Sequence, residues 1–425
     1  MKSRLFVFLF VSYSVLWGQN FSEKRILRQL QKIEAFENAH IGISISPLED
    51  SKPIASYQAS KYMTPASNTK LLTFLGAQEQ FDKLPALSYA LESDSIIHFK
   101  STGYPLLFHP FYKDTILDSF FNQKAFWNYH TSKITPRPMG AGWAWDDYSY
   151  YYAAESSTFP IYGNVVEAKF IAQAIQTVPA FFESHTVLDS SAKAYIRIRK
   201  QNQFQYNPSK WIPGDTLYHP FITSDSLFVK LLSKQINQKI EMLSDSSPQL
   251  KWNFLHTGQE NTLYKALLQD SDNGIAEALL LMISQQNFNT MQPEKAIELL
   301  LQQWKPWLID PIEWVDGSGI SRYNMITPRT LVEVLKKIHQ KVGWDTIKDY
   351  FTKGASLEAF REDPSAVIYA KTGTLRHNFN LSGYLVLPKG KVYAFSIMVN
   401  HHNTSTAEVR KGIGVLLKWF ERRLR

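Results

Sequence analysis

There is no cysteine anywhere in the 425 residues. That excludes a disulfide framework, thiol catalysis and a lipid anchor on cysteine. No repeat of solenoid period and no low-complexity tract is present. No stretch beyond the N-terminus is long and apolar enough to read as a membrane span. A dense Lys/Arg block is also missing, although the formal charge is +8. A nucleic-acid partner is therefore not expected. The mild basic excess instead suits anionic surroundings, including peripheral association with a cell envelope. His401 and His402 are adjacent at a strand end without a third ligand, so no metal is expected.

What is present begins with MKSRLFVFLFVSYSVLWGQN. Lys2 and Arg4 precede an uncharged run from Leu5 to Trp17, followed by small and polar residues. This has the form of a secretory signal peptide over residues 1–18. An exported chain without disulfides suits the bacterial periplasm, with the signal removed.

The rest of the chain changes character twice. Residues 19–80 read as an amphipathic helix (Ser22 to Ala39), a strand pair (HIGISISPLED and KPIASYQAS) and a second helix from Thr64, with Thr64 as N-cap and Pro65 as first helical residue. Residues 81–261 hold short strand-like pieces, many aromatics and several prolines, as in GWAWDDYSYYYAA and KAYIRIRK. Residues 262–425 return to helical patterns, then give three strands with a tight turn at Lys389–Gly390, then a closing helix capped by Ser405 or Thr406. The organisation predicted is one catalytic domain built from both chain ends around a long β-rich insertion.

Three short motifs carry chemistry. The first is Ser67-x-x-Lys70 in TPASNTKLLT. Residues three apart share a helix face, so the lysine can reach the serine hydroxyl. A serine is a poor nucleophile until a base takes its proton, and a lysine is a base only if burial or another cation lowers its pKa. Alone the motif is weak, because roughly one or two such matches arise by chance in a chain this long; SSAK at Ser190 to Lys193 is another. The second motif is Ser271-Asp272-Asn273, inside a helical pattern. The third is Lys371-Thr372-Gly373-Thr374, ending a strand. Lys371 supplies the second cation, and Gly373 would let a substrate backbone approach the strand edge. The three together, in this order and on these element types, point to acyl transfer through serine. From the residues alone, the aromatics of WAWDDYSYYYAA, Tyr152 included, read as packing.

Serine-x-x-lysine, Ser-Asp-Asn and Lys-Thr-Gly together are the signature of penicillin-binding proteins and class A β-lactamases. PASNTKLLT, GWAWDDYSYYYAA, SDNGIAEALL, DGSGISRYN and AKTGT followed by NLSGY resemble, more narrowly, the class C low-molecular-mass penicillin-binding proteins, the D-alanyl-D-alanine carboxypeptidase/endopeptidases. The likeness spans nearly the whole mature chain. It departs at STGYPLLF (Ser101 to Phe108), where members carry a glycine-rich segment, and the insertion is shorter than usual.

The resemblance implies an α/β (α+β) fold with a β-lactamase/transpeptidase-like core, an antiparallel sheet flanked by helices. It implies Ser67 as nucleophile, Lys70 as base, Ser271 as proton relay and Asn273 as holder of the substrate amide. Lys371 would lower the pKa of Lys70 and, with Thr372 and Thr374, hold the terminal carboxylate. Backbone N–H groups of Ser67 and Thr374 would form an oxyanion hole. Asp147, Tyr152 and Arg322, with Arg376 at the border, would line a pocket for the residue before the D-alanines. The implied partners are peptidoglycan stem peptides and β-lactam antibiotics, without a cofactor. SRYN (Ser321 to Asn324) is a competing serine–asparagine motif, set aside in favour of SDN; DGSG from Asp316 reads as a turn that delivers Arg322. The rival readings are a β-lactamase or esterase on the same core, and a non-catalytic peptidoglycan-binding protein.

Overall fold

The computed structural model describes residues 21–50, 52–132, 134–244, 250–360 and 366–425. The expected export segment lies outside them. No helix among the described residues is long and apolar enough to cross a membrane.

The organising element is a six-stranded antiparallel sheet assembled from both chain ends. Its order is Thr352–Lys353, Val367–Leu375, Asn378–Val386, Val392–Asn400, His40–Pro47 and Ala55–Tyr57. The strands are apolar on both faces because both faces are covered. On one face Ile41, Ile43 and Ile45 meet Phe395, Ile397 and Val399 beneath Ile413, Leu417 and Phe420 of the C-terminal helix Thr406–Leu424. Ser405 caps that helix, its hydroxyl accepting from the Glu408 N–H at 3.2 Å. On the other face Tyr384, Ala394 and Met398 pack with Leu331, Leu335 and Ile338 of the helix Pro328–Tyr350. Each fully buried aliphatic side chain contributes about 1.5–3 kcal/mol, so this double cover is the main support of the sheet.

Three expectations are corrected. The first helix ends at Leu30, and only a short 3-10 turn, Glu34–Phe36, follows. Thr64 does not cap the second helix. A 3-10 turn, Ala66–Thr69, precedes the helix Lys70–Gln80, and the Thr64 N–H donates to Asn400 Oδ1 at 2.7 Å instead. The helical pattern around SDN is broken at the motif itself. Ala266–Asp270 is a π-helical turn, Ser271 takes the left-handed conformation (φ 61°), and Asp272 caps a new helix, Asn273–Phe288, by accepting from the Ile275 N–H at 2.9 Å. The break exists because Asp272 offers the backbone a cap where a continuous helix would have none.

Between the two parts of the core, three further sheets form. One has five strands, ordered Ile240–Ser244, Phe126–Thr131, Ile96–Ser101, Pro85–Ser93 and Asn253–His256; two have three strands each. Short turns carry the segment Trp145–Ala153 along the rim of the helix Asn273–Phe288. STGYPLLF forms a buried corner, where Gly103 takes φ +87° and the Tyr104 hydroxyl donates to Asp114 Oδ2 at 2.7 Å.

Candidate active site

Ser67 sits in the 3-10 turn that begins the helix Lys70–Gln80, and a polar stripe on the sheet positions that turn. In NFNLSGYLV the strand is apolar except at alternate positions, so Asn378, Asn380 and Ser382 share one face. Asn380 donates to the Thr64 carbonyl at 2.9 Å, and Asn68 donates to the Ser382 hydroxyl at 2.9 Å. Asn400 on the next strand takes the Thr64 N–H. The strand carrying Lys371 closes over the turn. A methyl group at Gly373 would overlap the Pro65 carbonyl oxygen and lie 2.9 Å from the Asn68 nitrogen and 3.2 Å from the Ser67 nitrogen. Glycine is required here by the protein's own backbone, a constraint the sequence reading did not include. From the opposite side Gly319, with φ +84°, packs against the Ala66 carbonyl just as closely.

The side chains of the three motifs meet at this point. Lys70 Nζ donates to Ser67 Oγ at 3.2 Å, to Asn273 Oδ1 at 2.6 Å and to the Ser318 carbonyl at 2.7 Å. Lys371 Nζ donates to Ser271 Oγ at 2.9 Å and to the Thr372 carbonyl at 2.9 Å. Both lysines are buried, whereas Ser67, Ser271 and Asn273 are partly open. Asn273 is occupied from both ends, since its Nδ2 also donates to the Tyr152 carbonyl at 2.8 Å. It therefore orients Lys70 and ties the insertion to the core, which the reading of it as a substrate holder did not include.

Burial is the largest influence on both lysines, because it penalises the charged form. It brings Lys70 down to about 8, against the pull of Asp316, Glu277 and Asp272, which raise it. Lys371 is held well below its ordinary value by burial and then by the charge of Lys70. Burial is thus the first cause for both lysines, and the repulsion between their charges acts in the same direction.

Sequence reasoning missed the second layer. Glu277 is buried in the helix Asn273–Phe288 and accepts from the N–H groups of Gly317 and Ser318 at 3.1 and 2.8 Å. This aims the Ser318 carbonyl at Lys70. Burial and the neighbouring Asp316 raise Glu277 to about 7. Asp316 accepts from the N–H groups of Gly319 and Ser321 at 2.9 and 2.7 Å, from Asn324 Nδ2 at 2.6 Å and from Trp143 Nε1 at 2.8 Å. The available signal was a lone glutamate in the apolar run GIAEALLL and an aspartate before GSG. Ser321 and Asn324 of SRYN are buried, and both serve this loop: Ser321 Oγ donates to the Ala141 carbonyl at 2.7 Å. Ser190, the other serine in a Ser-x-x-Lys match, lies in an exposed turn of a three-stranded sheet.

The remaining expected residues sit outside the dry cluster. The Tyr152 hydroxyl donates to Asp147 Oδ1 at 2.9 Å, and Tyr152 is 37% exposed. Arg322 is exposed; its N–H donates to the Gly142 carbonyl at 3.3 Å, and its guanidinium pairs with no carboxylate among the described residues. Arg376 is exposed in the hairpin between the Lys371 strand and its neighbour. Thr372 is half-buried and Thr374 exposed. The strand Thr352–Lys353 pairs only with Ala370 and Tyr369, so among the described residues the outer edge from Lys371 onward carries no paired strand. A cavity of about 440 Å³ lies on the insertion side, touching Ser271, Asn273 and Tyr152 but not Ser67 or either lysine. No cluster of three or more metal-ligating side chains occurs among the described residues.

A serine with a buried lysine on its own helical turn, a second buried lysine on the facing strand and an open strand edge beside them define a serine acyl-transfer enzyme. The model of the D-Ala-D-Ala carboxypeptidase 3 (S13) family matches residues 23–108 and 228–419, and the chain belongs to that family. D-alanyl-D-alanine carboxypeptidase DacB of Haemophilus influenzae is 24% identical over 98% of this chain and 95% of its own length. A D-alanyl-D-alanine carboxypeptidase of Actinomadura is 29% identical over 161 residues, 35% of this chain and 30% of that protein. The crystal structure of penicillin-binding protein 4 from Haemophilus influenzae matches with a TM-score of 0.71 at 20% identity, covering 94% of this chain and 99% of that one. The shared fold is thus a penicillin-binding-protein fold, helices around an antiparallel sheet, over nearly the full length of both chains.

Proposed function

We propose that the protein is a serine-type D-Ala-D-Ala carboxypeptidase/endopeptidase that cleaves peptidoglycan stem peptides through an acyl-enzyme on Ser67 and is acylated by β-lactams. The observation that carries this is the contact of Lys70 Nζ with Ser67 Oγ at 3.2 Å, with Lys70 brought to about 8 by burial. A lysine so placed is partly neutral near pH 8 and can take the serine proton.

The substrate's backbone would lie along the open edge of the Lys371 strand, as an added strand does. Its terminal carboxylate beside Lys371 would favour the charged form of that lysine. That charge would in turn push Lys70 towards its neutral form, so binding would arm the base. Ser67 Oγ attacks the carbonyl of the penultimate D-alanine, and its proton passes to Lys70. The oxyanion would be met by the N–H groups of Ser67 and Thr374. Ser271, held by Lys371, passes a proton to the leaving amine as the peptide bond breaks. Water then attacks the ester and releases the acyl group. Asp147, Tyr152 and Arg322 would receive the side chain of the preceding residue; an ammonium suits Asp147 and a carboxylate suits Arg322. The working place would be the periplasm, reached through the N-terminal export segment.

The test is covalent labelling with a fluorescent penicillin followed by peptide mapping. A stable adduct on the peptide containing Ser67 is expected, and none in Ser67→Ala. An adduct on Ser190, or labelling that survives Ser67→Ala, overturns the assignment. Rapid release of hydrolysed penicillin would point to a β-lactamase instead.

A further inference from the structure

The segment Trp143–Tyr148 has two sides. One leads to Tyr152 and the catalytic cluster. The other walls an open groove of about 460 Å³ that none of the motifs explains. Arg197 lines it. This side chain is only 4% exposed, yet its Nε has no hydrogen-bond partner, and no hydrogen bond or ion pair to its guanidinium occurs among the described residues. A buried donor left unpaired is costly, of a size with a lost hydrogen bond. The face of Tyr148 lies against this guanidinium, with Cζ 5.3 Å from the ring centroid, and the charge of Glu155 acts on it without a hydrogen bond. Arg199, which is exposed, lies 4.8 Å over the ring of Trp145 and 5.7 Å over that of Tyr148. Trp145 is 69% exposed, an unusual position for indole. Lys200 adds a third cation. The one carboxylate of the groove, Glu155, is engaged by Thr223, whose N–H and hydroxyl donate to Oε2 at 2.8 and 3.1 Å.

Guanidinium groups stacked on aromatic faces keep their N–H edges free, and that planar fork matches a carboxylate. The exposed indole offers an apolar platform beside it. We propose that this groove is a second binding site, taking a carboxylate of a neighbouring peptide on the polymeric substrate while another peptide is cleaved at Ser67. It rests on the reading of the protein as a peptidoglycan-cleaving enzyme. The site is separated from the cluster by the Trp143–Tyr148 segment, whose Trp143 indole is itself tied to Asp316 at 2.8 Å. A short peptide would fill only the catalytic centre, whereas a cross-linked one would reach both.

The test compares kcat/KM of the intact protein on a short diacylated D-Ala-D-Ala peptide and on a peptide-cross-linked muropeptide dimer. Arg197→Met should lower kcat/KM on the dimer about tenfold or more through KM, the effect of losing a charge-assisted bond to a buried donor. Arg199→Ala, on the surface and safe for folding, should lower it by a few-fold. Rates on the short peptide and the penicillin acylation rate should stay as in wild type. A dimer amidated only on the carboxylates of the peptide that is not cleaved, so that the terminal carboxylate beside Lys371 stays free, should lose the advantage in wild type and show no further loss in either variant. If Arg199→Ala treats both substrates as wild type does, or slows both equally, or if the amidated dimer is handled as well as the free acid, the groove is not a carboxylate site. A wild-type protein that fails on the short peptide and is not acylated by penicillin would instead refute the proposed function.

Discussion

Lys70 and Arg322 are both cations within the same constellation of motifs, but the fold treats them in opposite ways. Lys70 is buried and surrounded by three acceptors, Ser67, Asn273 and the Ser318 carbonyl. Arg322 is exposed and its guanidinium has no carboxylate partner among the described residues. On the proposed function, the difference separates two tasks. Proton transfer needs a group whose pKa lies near the working pH, and burial is the main thing that brings Lys70 there. Selecting a substrate side chain needs a group that stays charged and reachable until the substrate covers it. The dry part of the site is therefore built into the core, and the selective part is left on its rim.

The sharpest way to break this comparison is Lys70→Arg, which keeps the charge but cannot deprotonate. Loss of a general base costs about a hundredfold to ten-thousandfold, so stopped-flow penicillin acylation should fall by at least the lower figure while the thermal transition persists. An active Lys70→Arg enzyme would remove Lys70 from the chemistry. Next is Gly373→Ala. Its methyl group would meet backbone at Pro65 and Asn68 rather than a side chain that can move. The overlap should cost about 1–3 kcal/mol of stability and misplace Ser67, seen as a lower melting temperature together with slower acylation. A third test is Glu277→Gln. Because a negative Glu277 raises Lys70, its removal should lower the Lys70 pKa, so the rise of the acylation rate with pH, centred near 8 in wild type, should move to lower pH. An amide nitrogen facing one of the two N–H donors will also destabilise the fold, by about 1–3 kcal/mol; a purely structural role would lower stability without moving the pH profile. The smallest effect belongs to Arg322→Ala. A solvent-exposed pair is worth about 0–1 kcal/mol, so the preference for a diaminopimelate-type over a lysine-type stem peptide should shrink by no more than about fivefold. A preference untouched by the mutation would place Arg322 outside the pocket.

Much of this was legible from residue patterns. The three motifs could be read because each is local: a helical turn, a cap and a strand end carry their own spacing. The final three strands and the closing helix were legible for the same reason, with period two in VIYAKTGTL and helical spacing after Ser405. What could not be read is whatever depends on contacts far apart in the chain. The polar stripe of Asn380, Ser382 and Asn400 looks like ordinary strand variation until the Thr64–Asn68 turn lies on it. The clamp of Glu277 on Gly317 and Ser318 joins a helix to a loop 40 residues away. The break at Ser271 was hidden because the residues on both sides, LYKALL and AEALLL, are equally good helix formers, and one capping aspartate decided against continuity. Gly373 was noticed, but not its contact with the Pro65–Asn68 backbone, since spacing says that something comes close and not what.

Two glycines hold the nucleophile's turn between them, Gly319 on one side and Gly373 on the other. Both come late in the chain, and Ser67 comes early. A polypeptide synthesised in order therefore carries Ser67 and Lys70 for most of its synthesis without the walls that enclose them. Until the last quarter of the chain has arrived and folded back, there is no buried partner strand, no lowered lysine and no strand edge for a substrate. On the proposed function the centre is silent during synthesis, and a chain cut short before Lys371 should be inert towards penicillin even where its earlier helices have formed.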